Sequence, residues 1–256
     1  MKKTSTARRL QVETLENREL MAGNVNVSMS NGNLFITGDA NPNHVQVRQS
    51  SPGVYSISGV MLGGSATKIN GYNGVTASGV TGNVSVSLGG GSDQLDFGTG
   101  DARQINVPGT LTIDMGTGND WTYVRDVKTG GNLTVYTGTG QDRTHINNAN
   151  VGNNLFVLDP SAVNSGDSDL TTVLTSRVKG QMQFMSRGGA DSVEIQSSTC
   201  DSVYADLGAG NDFFKMLYTK PRAHTVIGGT GNDTFFVPDY LGTRFNNQSG
   251  FETVRR

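Results

Sequence analysis

A Gly-rich turn that ends in Asp recurs along this chain, and its spacing leaves few folds open. The turns GGGSD, GTGND, GTGQD, RGGAD, GAGND and GGTGND close on Asp93, Asp120, Asp142, Asp191, Asp212 and Asp233. With each Asp as origin, Val86, Ile113, Val135, Phe184, Ala205 and Val226 stand seven residues earlier. Nine earlier stand Val84, Leu111, Leu133, Met182, Val203 and His224, and four later Phe97, Val124, Ile146, Ile195, Met216 and Val237. Seventeen of these eighteen positions are apolar, and spacing by twos puts them on one strand face. Each column therefore reads as the inner wall of a stack of parallel strands about 4.8 Å apart. Successive aspartates lie 27, 22, 49, 21 and 21 residues apart. The fold expected over 82–256 is all-β: a right-handed parallel β-helix or β-solenoid with rungs of 21–27 residues. The interval of 49 predicts one worn rung, with Asn164 in the Asp slot and Leu155 and Val157 facing inward. Such a rung would split the aspartates into Asp93, Asp120 and Asp142, and Asp191, Asp212 and Asp233.

Residues 24–81 read differently. Val25, Val27 and Met29 alternate with polar residues up to Asn31-Gly32, then Leu34 and Ile36 follow, a strong hairpin signal. Val45 and Val47, then Tyr55 and Ile57, continue the alternation, with Pro42 and Pro52-Gly53 between. A small antiparallel cap is expected, hiding the unpaired strand edges and open core of the first rung. Residues 1–22 contain no glycine and carry five basic against three acidic residues. They fit a short amphipathic helix or an export and sorting segment, and lack the apolar core of an ordinary signal peptide.

A turn between two strand walls needs backbone at positive φ, which glycine accepts without steric cost. The Asp can then cap the turn by accepting backbone N–H groups. Stacked in register, however, such carboxylates lie about one strand spacing apart, where like charges repel and pKa values rise. A divalent cation between turns would remove the repulsion, and calcium suits the oxygen-rich setting. Turn capping alone and calcium binding both remain open on these residues.

Gly228-Gly229-Thr230-Gly231-Asn232-Asp233-Thr234-Phe235-Phe236 resembles the calcium-binding nonapeptide of the repeats-in-toxin (hemolysin-type) family at every position. The other turns match in part, since Leu88, Met115, Thr137, Ser186 and Leu207 stand where that motif begins with Gly, and Thr122 and Thr144 where it has a large apolar residue. The resemblance implies Ca2+ held in a column by Asp93, Asp120, Asp142, Asp191, Asp212 and Asp233 with turn carbonyls. Family members usually have two such turns per rung; this chain has one. Leu15-Glu16-Asn17-Arg18-Glu19-Leu20-Met21-Ala22 is similar to the LEPR-XLL segment that opens many exported bacterial surface proteins, with Asn17 for Pro and Met21 for the second Leu. It implies export.

Catalysis finds little support in the pattern. The outward slots one and three after each Asp hold Gln94 and Asp96, Trp121 and Tyr123, Arg143 and His145, Ser192 and Glu194, Phe213 and Lys215, Thr234 and Phe236. No acidic pair of the kind a glycosidase needs recurs on neighbouring rungs. Trp121, Tyr123, Arg143 and His145 form a patch that reads as a solvated face, and aromatics beside a cation could also stack a sugar or bind a protein. His224 is expected inside the core, and Cys200 as a small buried residue rather than a nucleophile. The net charge of −2 lacks the basic stripe of a nucleic-acid binder, and no apolar run reaches the ~18 residues of a membrane span. The sequence thus reads as an exported, non-enzymatic, calcium-associated structural or adhesive element of a bacterial surface or matrix, with surface polysaccharide or matrix proteins as partners. The alternative is a carbohydrate-binding or polysaccharide-cleaving β-helix working through the Trp121 and Arg143 face.

Overall fold

The computed structural model describes residues 23–62, 65–98, 103–160, 166–236, 247–249 and 251–255, the last two stretches as backbone alone. Every regular element among them is a strand. Two 11-stranded sheets carry the fold, and from Val84 onward each repeat gives one strand to the first and then one to the second. The first sheet contains Val84–Ser87, Leu111–Asp114, Leu133–Tyr136, Leu155–Leu158, Gln181–Met185, Ser202–Asp206 and Ala223–Ile227. The second contains Gln94–Phe97, Trp121–Arg125, Arg143–Asn147, Leu170–Leu174, Ser192–Gln196, Phe213–Leu217 and Asp233–Phe236. From Val84 onward all pairings within these two sheets are parallel, and they are in register from one repeat to the next except for a shift at Asp233/Thr234 against Phe251–Arg255. A third, four-stranded sheet of Ile105–Val107, Val127–Thr129, Asn150–Val151 and Arg177–Val178 lines another side.

The inner columns lie where the period-two pattern puts them. Val84, Val86, Leu111, Ile113, Leu133, Val135 and Leu155 are fully buried, as are Phe97, Val124, Ile146, Val173 and Ile195 on the second sheet. At the columns five before and two after each Asp, Thr137, Thr122 and Thr144 are buried in line with Leu88, Met115, Leu95 and Phe214. His224 also lies inside, facing Val203 in register. Val237 lies outside the described residues.

The interval of 49 requires a correction. The repeat after Asp142 closes on Asp169, not Asn164: Leu170–Leu174 pairs with Arg143–Asn147 on one side and Ser192–Gln196 on the other. Leu155 and Val157 are inner residues as expected. The turn after them is five residues longer, so 49 divides into 27 and 22. Asn164 itself lies outside the described residues. No break divides the stack there, and the two groups of aspartates are one.

The N-terminal strands pair mostly antiparallel, as expected, with one parallel exception, Asn24–Ser30 against Lys68–Ile69. Asn24–Ser30 and Asn33–Thr37 form the hairpin about Asn31-Gly32, both at positive φ, as the right-handed twist of a tight hairpin demands. His44–Ser51 pairs antiparallel with Val54–Gly59, which pairs with Gly74–Ser78. Yet Asn33–Thr37 and His44–Ser51 also pair in parallel with Val84–Ser87 and Gln94–Phe97. The cap therefore contains the first repeat, with Asn43 in the Asp slot beside Asp93. Its added strands cover the edge that the first repeat would otherwise expose.

Candidate functional site: a buried aspartate column

The Gly-rich turns join the first sheet to the second and stack closely. Gly116 has φ of 94°, and a Cβ on it would lie 1.8 Å from the Gly89 carbonyl oxygen. Close approach and positive φ both exclude a side chain there. The turns are tied by their own backbone ladder, with Thr117 N–H donating to Gly89 O at 2.8 Å and Thr139 N–H to Gly116 O at 3.0 Å.

The Asp that follows each turn points inward rather than into its own turn. Its backbone N–H donates to Oδ1 of the next aspartate in the column: Asp93 to Asp120 at 2.7 Å, Asp120 to Asp142 at 2.8 Å, and Asp142 to Asp169 at 2.9 Å. Asp169 to Asp191, Asp191 to Asp212, and Asp212 to Asp233 follow, each at 2.8 Å. Asn43 begins the series by donating to Asp93 Oδ1 at 2.6 Å. The side chain thus caps the neighbouring repeat, one repeat away from the turn-capping role that the residue type suggests.

Asp93, Asp120, Asp142, Asp191, Asp212 and Asp233 all stand in this one column, and Asp169 joins them. Asp169 was missed because its turn has lost the GxG pattern. The signal was available in the 27-residue step already present between Asp93 and Asp120, and in Thr171 and Val173 at the correct inner offsets.

The second carboxylate oxygen defines the chemistry. Oδ2 of Asp93, Asp120, Asp142, Asp191 and Asp212 is buried and accepts no hydrogen bond. Asp169 Oδ2 receives only the Thr137 hydroxyl, at 3.3 Å. Burial pushes the carboxyls of Asp93, Asp142 and Asp191 up to about 8, with smaller contributions from neighbouring carboxylates. Burial raises Asp212 to about 7, and Asp120 and Asp169 to about 6. A file of bare carboxylates in the interior is costly, so each needs a proton or a cation at Oδ2. At Asn43 the same slot holds an amide whose Nδ2 donates to the carbonyls of Asn41 at 2.8 Å and Leu88 at 3.3 Å.

Among the described residues no three His, Cys, Asp or Glu side chains gather as a metal cluster. A cation at the column would draw on Oδ2 atoms and take its remaining oxygens from main-chain carbonyls and water. The donor set is all oxygen, which suits calcium and disfavours softer metals.

Two further ladders went unread in the sequence. Ser176 Oγ accepts from Ala149 N–H, Ser198 Oγ from Ser176 N–H, and Thr219 Oγ1 from Ser198 N–H, at 3.1–3.2 Å. They follow a corner where Asp126, Asn148, Thr175, Ser197 and Tyr218 all take positive φ. At the corner entering the first sheet, Asn33, Asn83, Asn132 and Asn154 accept backbone N–H groups of the next repeat. Short polar side chains at corners look like ordinary loop residues until the register is known.

Among the described residues, the acids on the outer face of the second sheet face bases and not a second carboxylate. Glu194 is bound to Lys215 at 2.8 Å, and Asp96 to His44 at 3.1 Å with Arg125 at 3.9 Å. Burial raises the half-buried Cys200 thiol to about 12, so it stays protonated. Among the described residues no helix is long and apolar enough to cross a membrane.

Residues 6–25 match the family model described as Planctomycete extracellular. The match points to an extracellular protein. It overlaps the segment from Leu15 to Ala22, which lies outside the described residues. No curated protein and no solved structure matches the chain.

Proposed function

We propose that this chain is an exported, non-catalytic β-solenoid that serves as a structural or adhesive element outside a bacterial cell, its interior braced by calcium along the aspartate column. Right-handed winding is part of the proposal, because parallel strands joined by crossovers are right-handed in about 98% of cases. Support for export comes from the match over residues 6–25. Support for a structural role comes from the repeat, continuous through Asp169, and from an outer face of the second sheet whose acids, Asp96 and Glu194, are tied to bases.

The observation that carries calcium is the file of buried Oδ2 atoms without partners at Asp93, Asp120, Asp142, Asp191 and Asp212. With Kd values of about 10⁻⁴ to 10⁻³ M common for extracellular calcium modules, a tenfold excess contributes roughly 1.4 kcal/mol per site. Several sites then rival the ~5–15 kcal/mol stability of a whole domain. Calcium would leave the chain loosely held in a low-calcium cytoplasm and firm outside. Thermal melting of the full chain in 10 mM calcium and in chelator tests this. A higher melting temperature in calcium, blunted by Asp212→Ala, supports the reading. Identical melts in both, for wild type and variant, would refute it.

A second reading rests on Asn43, which shows that a neutral, donor-bearing side chain fits the column. In that reading protons, not metal, neutralise the aspartates.

A further inference from the structure

On the outer face of the second sheet, at the mouth of the Asp turns, Trp121, Arg143 and Leu170 stand side by side on three adjacent strands. Trp121 is 40% exposed and Leu170 39% exposed. The Arg143 guanidinium lies over the indole, its central carbon 5.0 Å from the ring centroid. One column along, Arg125 lies over Tyr123 at 4.4 Å, and the rings of Trp121, Tyr123 and His145 contact edge to face in sequence. Trp121, Arg143 and Leu170 wall a groove of about 420 Å³ whose other lining includes the neutral Asn119, Gln141 and Ser192 and the buried column residues Asp142 and Asp169.

Charge sets what this groove accepts. Arg125 has Asp96 within 3.9 Å, whereas Arg143 forms no ion pair among the described residues. Burial, then the Arg125 charge, lowers the His145 pKa. A fixed guanidinium with no counter-ion, held flat on an exposed indole, offers two parallel N–H donors to a carboxylate. The indole and Leu170 offer an apolar wall to the C–H face of a ring, and the amides and hydroxyl offer partners to its hydroxyl groups.

We propose that this groove binds an acidic polysaccharide, a uronate residue setting its carboxylate on Arg143 and its ring against Trp121. The proposal names a partner for the adhesive role and rests on that reading for its biological sense; because the column residues Asp142 and Asp169 also line the groove, binding is measured at fixed calcium. It requires no bond-making step.

Trp121 is the single tryptophan of the chain, so its fluorescence reports on the groove directly. Hexagalacturonate and the uncharged cellohexaose are titrated into the full chain at fixed calcium, alongside Arg143→Gln and, as a distant control, Lys215→Gln. The expected result is a saturable fluorescence change with hexagalacturonate alone, weakened about tenfold or more by Arg143→Gln, weakened by salt, and unaltered by Lys215→Gln. Arg143→Gln should melt at the wild-type temperature, because the side chain is exposed. No fluorescence change, equal binding of both sugars, or full affinity in Arg143→Gln would overturn the inference. Melting in calcium and chelator is recorded on the same samples. Calcium-dependent melting without uronate binding removes this site alone; uronate binding with calcium-independent melting removes the calcium account alone.

Discussion

Asp142→Asn separates the two ways of neutralising the column. Asp142 stands mid-file, accepting Asp120 N–H on Oδ1 and donating its own N–H to Asp169, with Oδ2 buried and unpartnered. Asparagine keeps the Oδ1 acceptor and cannot charge, and Asn43 shows that an amide fits this slot. The wild-type carboxyl titrates near 8 in the fold and near 3.9 in an unfolded chain. Because the folded value is the higher one, its contribution is full below about pH 4 and is lost as pH rises toward 8. At about 1.4 kcal/mol per pKa unit, charging this group in the metal-free fold costs up to roughly 5–6 kcal/mol by pH 9. With ~2–4 °C per kcal/mol for chains near this size, Asp142→Asn should melt on the order of 10 °C above wild type in chelator at pH 9. At pH 4.5 the two should melt nearly together. In 10 mM calcium at pH 8 the order should invert, because the variant has lost a ligand oxygen. Far-UV circular dichroism melts across this grid provide the assay. A variant that melts below wild type in chelator at every pH would refute the reasoning, since Oδ2 would then have a satisfying partner already.

Ser198→Ala removes the acceptor for Ser176 N–H at 3.1 Å in a fully buried corner. It should cost about 1–3 kcal/mol by denaturant unfolding, with no change in calcium response. Arg187 occupies, at φ of 74°, the stacked position that Gly208 and Gly229 take in the next turns, and its Nε is buried without a partner. Arg187→Gly should therefore stabilise by about 0.5–1 kcal/mol, read as a small rise in melting temperature; a fall would mean that the side chain contributes more than the backbone strain removes.

The inner walls were legible because a column such as Val86, Ile113 and Val135 repeats a single physical demand, an apolar side chain every second residue beside its neighbours' equivalents. The hairpin at Asn31-Gly32 was legible for a similar reason, since that dipeptide meets a local backbone requirement. Asp169 was not, because its turn lacks the GxG pattern of the others, and the fold keeps the inward carboxylate while letting the turn before it change length. Nor could the sequence say that each Asp caps the adjacent repeat. The same residue types serve a turn's own cap equally well, and only the register between strands decides which N–H is within reach. The Ser176, Ser198 and Thr219 ladder was hidden likewise, small hydroxyl residues being common in any corner. On the outer face, Trp121 and Arg143 are legible as neighbours, but not the stacking of the guanidinium over the indole.

The most direct test of the central claim counts the metal. Full-length protein brought to equilibrium dialysis against 1 mM calcium is assayed by atomic emission for the calcium per chain in excess of the dialysate, beside Asp169→Ala. The account predicts more than one calcium per wild-type chain and a clear loss in Asp169→Ala, because Asp169 joins the two halves of one continuous column. Wild-type protein that binds no excess calcium while remaining folded would contradict it, and would leave the aspartates as carboxylic acids held by protons.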